Sequence, residues 1–103
     1  MNDYVPSEFF LSQNYPNPFS DKTKIKFCIP FMTNVKLSVF NSDRELVIML
    51  VDEEKEAGTY AVEFPTVGMR HASSTTITLP SEVYFYRLEA GNYSCEKKML
   101  FLK

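Results

Sequence analysis

The chain has 103 residues, 45% of them hydrophobic, with nine Phe, six Tyr and no Trp, which is material for one self-sufficient core and too little for two. Eleven Lys and Arg stand against 13 Asp and Glu, a net charge of -2; with no surplus of cations to displace counterions, the balance argues against nucleic acid as a partner. One His and two Cys leave too few ligands for most metal sites.

Residues Met1 to Val5 read MNDYV, without the positive charge and apolar stretch of a secretory signal. The longest apolar run, Leu46 to Val51, is the size of a strand and far short of a membrane span. From Thr23 to Ile29 apolar and polar residues alternate, with Ile25, Phe27 and Ile29 on one face and Lys24, Lys26 and Cys28 on the other; Pro30 then ends the strand for want of an N–H. Asn34 to Phe40 alternates in the same way around Val35, Leu37 and Val39. Asn41, Ser42 and Asp43 form a polar turn. Glu45 to Val51 has apolar residues on both faces, so it is either buried on both sides or bulged.

Asp52 to Glu56 is read as a solvated acidic loop closed by Ala57 and Gly58, because it lacks the alternating ligands and the turn glycine of a calcium loop. A strand follows with Tyr60, Val62 and Phe64 on one side, stopped by Pro65. Thr66 to Glu82 is expected to be a long loop carrying His71, with a short strand around Thr76 to Leu79. Val83 to Glu89 places Tyr84, Tyr86 and Leu88 on one face; Ala90, Gly91 and Asn92 turn the chain, and Tyr93 to Leu102 makes the last strand. About seven short strands without a helix fit an immunoglobulin-like antiparallel β-sandwich, with a small barrel as the nearest rival. Cys28 points away from the expected core, which disfavours a disulfide with Cys95.

Four blocks stand out in order: Leu11-Ser-Gln-Asn-Tyr-Pro-Asn-Pro-Phe19, Ala57-Gly-Thr-Tyr60, Val83-Tyr-Phe-Tyr-Arg-Leu88 and Lys97-Lys-Met-Leu-Phe-Leu-Lys103. Together they resemble the C-terminal sorting domain of the type IX secretion system, type A class, over nearly the whole chain. The resemblance implies that residues 6–103 are one sorting-type sandwich, preceded at 1–5 by a disordered leader or cloning remnant. It also implies that the domain sits at the C-terminus of a larger cargo protein. Its partners would be the type IX translocon and a sortase-like peptidase. Cargo would reach the cell surface or medium through the periplasm and outer membrane, and the domain itself would hold no cofactor, metal or small-molecule substrate. Where relatives carry a turn glycine before the fourth strand, this chain has a residue near Asp43, which is expected to take the left-handed conformation.

Two segments are candidate recognition elements. In Gln13, Asn14, Tyr15, Pro16, Asn17, Pro18 and Phe19 the prolines fix φ and bar regular pairing, so the chain is expected to cross between sheets while Tyr15 and Phe19 pack down as plugs. The same rigid corner is also a candidate for what the translocon reads. On the last strand Lys97, Met99, Phe101 and Lys103 share one face and Lys98, Leu100 and Leu102 the other. A strand with one wet face should not be apolar on both, so the second face is either covered by a neighbouring loop or is a docking surface, extended in one version by strand addition. Tyr84 is either a tyrosine-corner residue or an ordinary buried ring. Arg87 and Glu89 are read as solvated charges. A thiolate and imidazolium pair from Cys28 or Cys95 with His71 has no supporting spacing, so no enzyme is expected. The reading from a different class is an immunoglobulin-like structural, adhesive or carbohydrate-associated accessory module. A flat exposed row of Phe40, Phe85 and Phe101 would favour that reading, whereas an apolar patch confined to the terminal strand would favour sorting.

Overall fold

A computed structural model describes residues 6–64 and 82–102. The leader at 1–5, Lys103, and most of the expected loop, with its short strand and His71, lie outside the described residues.

Seven strands form two antiparallel sheets: β1 (Phe10–Leu11), β2 (Thr23–Ile29), β3 (Thr33–Phe40), β4 (Leu46–Lys55), β5 (Gly58–Phe64), β6 (Glu82–Ala90) and β7 (Tyr93–Phe101). Their order is β1-β2-β5 in one sheet and β4-β3-β6-β7 in the other, so successive strands change sheet between β2 and β3, between β4 and β5, and between β5 and β6. This is the immunoglobulin-like sandwich the alternation implies, with its fourth strand on the sheet of β3. Period two sets the faces: Ile25, Phe27 and Ile29 of β2, Val35, Leu37 and Val39 of β3, and Tyr84, Tyr86 and Leu88 of β6 are all at most 1% exposed and meet between the sheets. Each such burial is worth roughly 1.5–3 kcal/mol of transfer free energy.

Two departures concern β4. The acidic run Asp52–Lys55 is not a loop but the end of this edge strand, paired with Thr33–Lys36; its side chains need only water on the outer side, and Lys55 meets Glu53 at 2.8 Å. The apolar run Val47–Leu50 is accommodated by irregularities, since the register slips between Leu37 and Ser38 and between Val39 and Phe40. Those bulges turn successive side chains toward the core, so Val47, Ile48 and Leu50 all pack against it.

The turns follow local chemistry. In the β3–β4 connection the Asn41 side-chain oxygen accepts from the N–H groups of Asp43 and Glu45, both at 2.9 Å. The left-handed residue is Arg44, with φ 69°, and not Asp43. Between β6 and β7, Gly91 at φ 59° makes a two-residue hairpin turn with Asn92. The two ends of the sandwich differ. At one, Phe9 stacks on Tyr93 at 4.9 Å and meets Phe31 edge-on at 5.4 Å, beside Pro6. At the other, β7 finishes at Phe101 opposite Glu82.

Candidate recognition surface

Residues Ser12 to Phe19 form a strap that fastens one flank of the sandwich to both sheets. Toward β2, Ser12 N–H donates to the Lys26 carbonyl at 2.9 Å, and Tyr15 and Lys24 exchange bonds of 3.0 and 2.9 Å. The strap then dips inward at Asn14, which is 2% exposed. Its amide donates to Thr23 Oγ1 at 3.0 Å and to the Pro16 carbonyl at 3.1 Å, while the Thr23 hydroxyl donates to the same carbonyl at 2.8 Å. Buried polar groups are costly unless paired, and among the described residues no buried side-chain nitrogen or oxygen lacks a partner.

Toward β7 the strap acts as a substitute strand. Pro16 and Pro18 have no N–H to give a ladder, so two side-chain amides fill in. Gln13 Nε2 donates to the Lys98 carbonyl at 2.6 Å, and Asn17 Oδ1 accepts from Leu100 N–H at 2.9 Å. Phe19 completes the row with its backbone, donating to the Leu100 carbonyl at 3.0 Å and accepting from Leu102 N–H at 2.9 Å. Its ring is 2% exposed and lies 5.0 Å from Phe101 and 6.2 Å from Phe64. The two segments singled out in the sequence are therefore one structural unit. From Lys98 to Leu102 the outer edge of β7 is already occupied, so strand addition there is blocked by the molecule's own strap.

Several expectations need correction. Tyr15 is no plug: its ring is 80% exposed, and only Phe19 packs down. A hydroxyl that the sequence did not single out, that of Tyr86, ties its strand to distant backbone by donating to the Ser12 carbonyl at 2.6 Å. Tyr84 is 1% exposed beside Glu82. Both phenols are pushed from 10.0 to about 12, first by burial; the Glu82 carboxylate adds to the effect at Tyr84, and the Asn14 backbone opposes it at Tyr86. Cys28 and Cys95 are both free thiols on strands of different sheets.

On β7, Met99 and Phe101 face the core, with Lys97 half-buried on their side, while Lys98, Leu100 and Leu102 face out, Leu102 at 46% exposure. Lys103 lies outside the described residues. The outward side chains continue across the sheet: Lys98 is opposite Phe85, which is opposite Phe40, which is opposite Leu46, and Leu100 is opposite Val83. Arg44 stacks 4.0 Å over Phe85 and Arg87 4.8 Å over Phe40. Both guanidinium groups converge on Glu96, at 2.6 and 3.2 Å. The hydrogen bond from Arg44 is the largest effect on the Glu96 carboxyl and, opposed next by burial and aided by the hydrogen bond from Arg87 and the charges of both guanidinium groups, holds it below the ordinary range. Arg87 is thus not a free surface charge, and its partner could be read from the hairpin by counting outward from Gly91 and Asn92.

Phe101 is buried on the inner side, so Phe40, Phe85 and Phe101 make no exposed row. Nor is exposed apolar surface confined to the terminal strand, since Phe10, Phe31, Met32 and Leu46 each exceed half exposure. Comparison of the chain with family models, with curated proteins and with solved structures returns no match.

Proposed function

We propose that this domain is a non-catalytic C-terminal sorting module, read by a type IX translocon as the address of a larger cargo protein. In this reading a sortase-like peptidase removes the module after the cargo has crossed the outer membrane. The observation that carries it is the union of the two most specific blocks of the resemblance: the strap Gln13–Phe19 lies along β7 at Lys98, Leu100 and Leu102 through four hydrogen bonds. One rigid surface thereby presents both, as recognition by a preformed partner favours. The outward face of β7, with Lys98, Leu100 and Leu102 continuous with Val83 and Phe85, is the surface offered, by its side chains and not by its backbone edge.

The test is export of a reporter carrying this domain at its C-terminus, in a host with the secretion system. Removing Lys97 to Lys103 would also delete the buried Met99 and Phe101, so surface variants are the sharper probe. Lys98→Glu, Leu100→Ser and Leu102→Ser together are expected to abolish export while leaving the folded domain detectable in the periplasm. Undiminished export of the triple variant would overturn the reading.

A further inference from the structure

The strap leaves a groove of about 490 Å³ on the outer face of the three-stranded sheet, lined by Ser12, Gln13, Tyr15, Lys24 and Lys26. Three features of it remain open to a ligand. The Tyr15 ring is 80% exposed, although its backbone is pinned to Lys24 by two hydrogen bonds; an aromatic face on a fixed stretch of backbone is held out to solvent, where a merely structural ring would be folded down. Lys24 and Lys26 project from the same face of β2, about 7 Å apart by strand geometry, and neither forms an ion pair among the described residues. Glu63, opposite Lys24 in the ladder, makes none either. Finally, the Ser12 hydroxyl oxygen accepts from Lys26 N–H at 3.0 Å, so its own proton remains to donate.

An exposed ring face, two lysines outside any ion pair and a hydroxyl donor match a pyranose ring that carries an acid group. The C–H face of the sugar stacks on the tyrosine, and its carboxylate or sulfate meets the lysines. We infer that this groove binds an anionic saccharide, with Tyr15 as the stacking platform and Lys24 and Lys26 as the anion contacts. An acidic peptide is the less suitable occupant, because an extended peptide gains most from a free ladder edge and β2 is paired on both sides, with β5 and with β1 and the strap. The inference goes beyond the sorting reading, and saccharide binding and reporter export are separate readouts that fail separately.

Calorimetric titration of the full chain with oligogalacturonate, a sulfated galactan oligosaccharide, a neutral galactan oligosaccharide and a glutamate-rich peptide tests it, with the first two probes separating carboxylate from sulfate. At least one anionic saccharide is expected to bind, and the neutral one more weakly by about tenfold, equivalent to about 1.4 kcal/mol. Tyr15→Ala should lose roughly tenfold, Tyr15→Phe should retain affinity, and Lys24→Gln with Lys26→Gln should remove the advantage of the charged probe. Unchanged thermal midpoints establish that the variants fold; if Tyr15→Ala does not, the lysine pair and Tyr15→Phe decide. Absence of binding by both anionic saccharides, indifference to Tyr15→Ala in a folded variant, or equal affinity for the peptide would each overturn the assignment.

Discussion

The side-chain oxygen of Asn17 accepts a hydrogen bond from the backbone N–H of Leu100 at 2.9 Å, taking the place that a neighbouring strand would fill on the edge of β7. Asn17→Ala removes that acceptor and should cost about 0.5–1.5 kcal/mol, read as a lower urea midpoint. Because the freed N–H borders an exposed edge, the variant should also self-associate more readily by sedimentation. Asn17→Asp, which keeps an acceptor oxygen, should stay closer to the parent on both measures.

The Tyr86 hydroxyl reaches from the middle of the four-stranded sheet to the Ser12 carbonyl at 2.6 Å. Tyr86→Phe keeps the ring in the core and strands that carbonyl, so a loss of roughly 1–2 kcal/mol is expected in denaturant unfolding. Amide exchange should report where the loss falls, with protection of the Tyr15 and Phe19 amides dropping before that of β3.

Phe19 closes the core at the end where β5 and β7 finish, packed against Phe64 and Phe101. Phe19→Ala should destabilise by about 3–5 kcal/mol through the cavity it leaves. For a domain of this size that corresponds to a fall in melting temperature of at least about 12 °C. Phe19→Leu should cost much less, and a small effect of the alanine variant would mean that the strap does not contribute to the core.

Stability should depend on pH at both extremes. The Glu96 carboxyl is lowered in the folded state, first by its hydrogen bond from Arg44 and then by that from Arg87. Its contribution is therefore present above the ordinary glutamate pKa of about 4.3 and lost as pH falls through the lower folded value. Glu96→Gln should flatten the acid limb of the stability profile. Tyr84, Tyr86 and Tyr93 are each raised from 10.0 to about 12, mainly by burial. Their raised values favour the folded state fully below pH 10.0, and that contribution is lost as pH climbs toward about 12. Tyrosinate absorbance should accordingly show three late-ionising phenols whose titration coincides with loss of the fold.

What was legible in the sequence divides along physical lines. The faces of β2, β3, β6 and β7 follow from alternation bounded by Pro30 and Gly91, because period two and turn chemistry are local properties. The acidic end of β4 reads as loop in the sequence because charge is a local signal, whereas pairing of Asp52 with Lys36 is settled by a partner strand and by an edge that tolerates charge. Phe10–Leu11 is too short to show any period. At the recognition surface, the prolines announced a corner, but nothing in Gln13 or Asn17 announces an amide standing in for backbone 83 or 85 residues away. The exposure of Tyr15 is hidden from the sequence for the same reason: hydrophobic bulk predicts burial on average, and the inward turn at Asn14 that leaves the ring outside is a tertiary fact.

The opposed ends of the sandwich bear on how such a module is handled by other molecules. Pro6 lines the same hollow as Phe31 and Tyr93, at the start of β7, while Leu102 follows the other end of a nine-residue strand, roughly 30 Å away at 3.3 Å per residue. In the sorting reading, a passenger joined by way of Pro6 attaches at the end of the sandwich opposite the tip that holds Leu100 and Leu102. A receptor gripping that tip would meet the same shape whatever the passenger, so a single design of receptor could serve freight of any size.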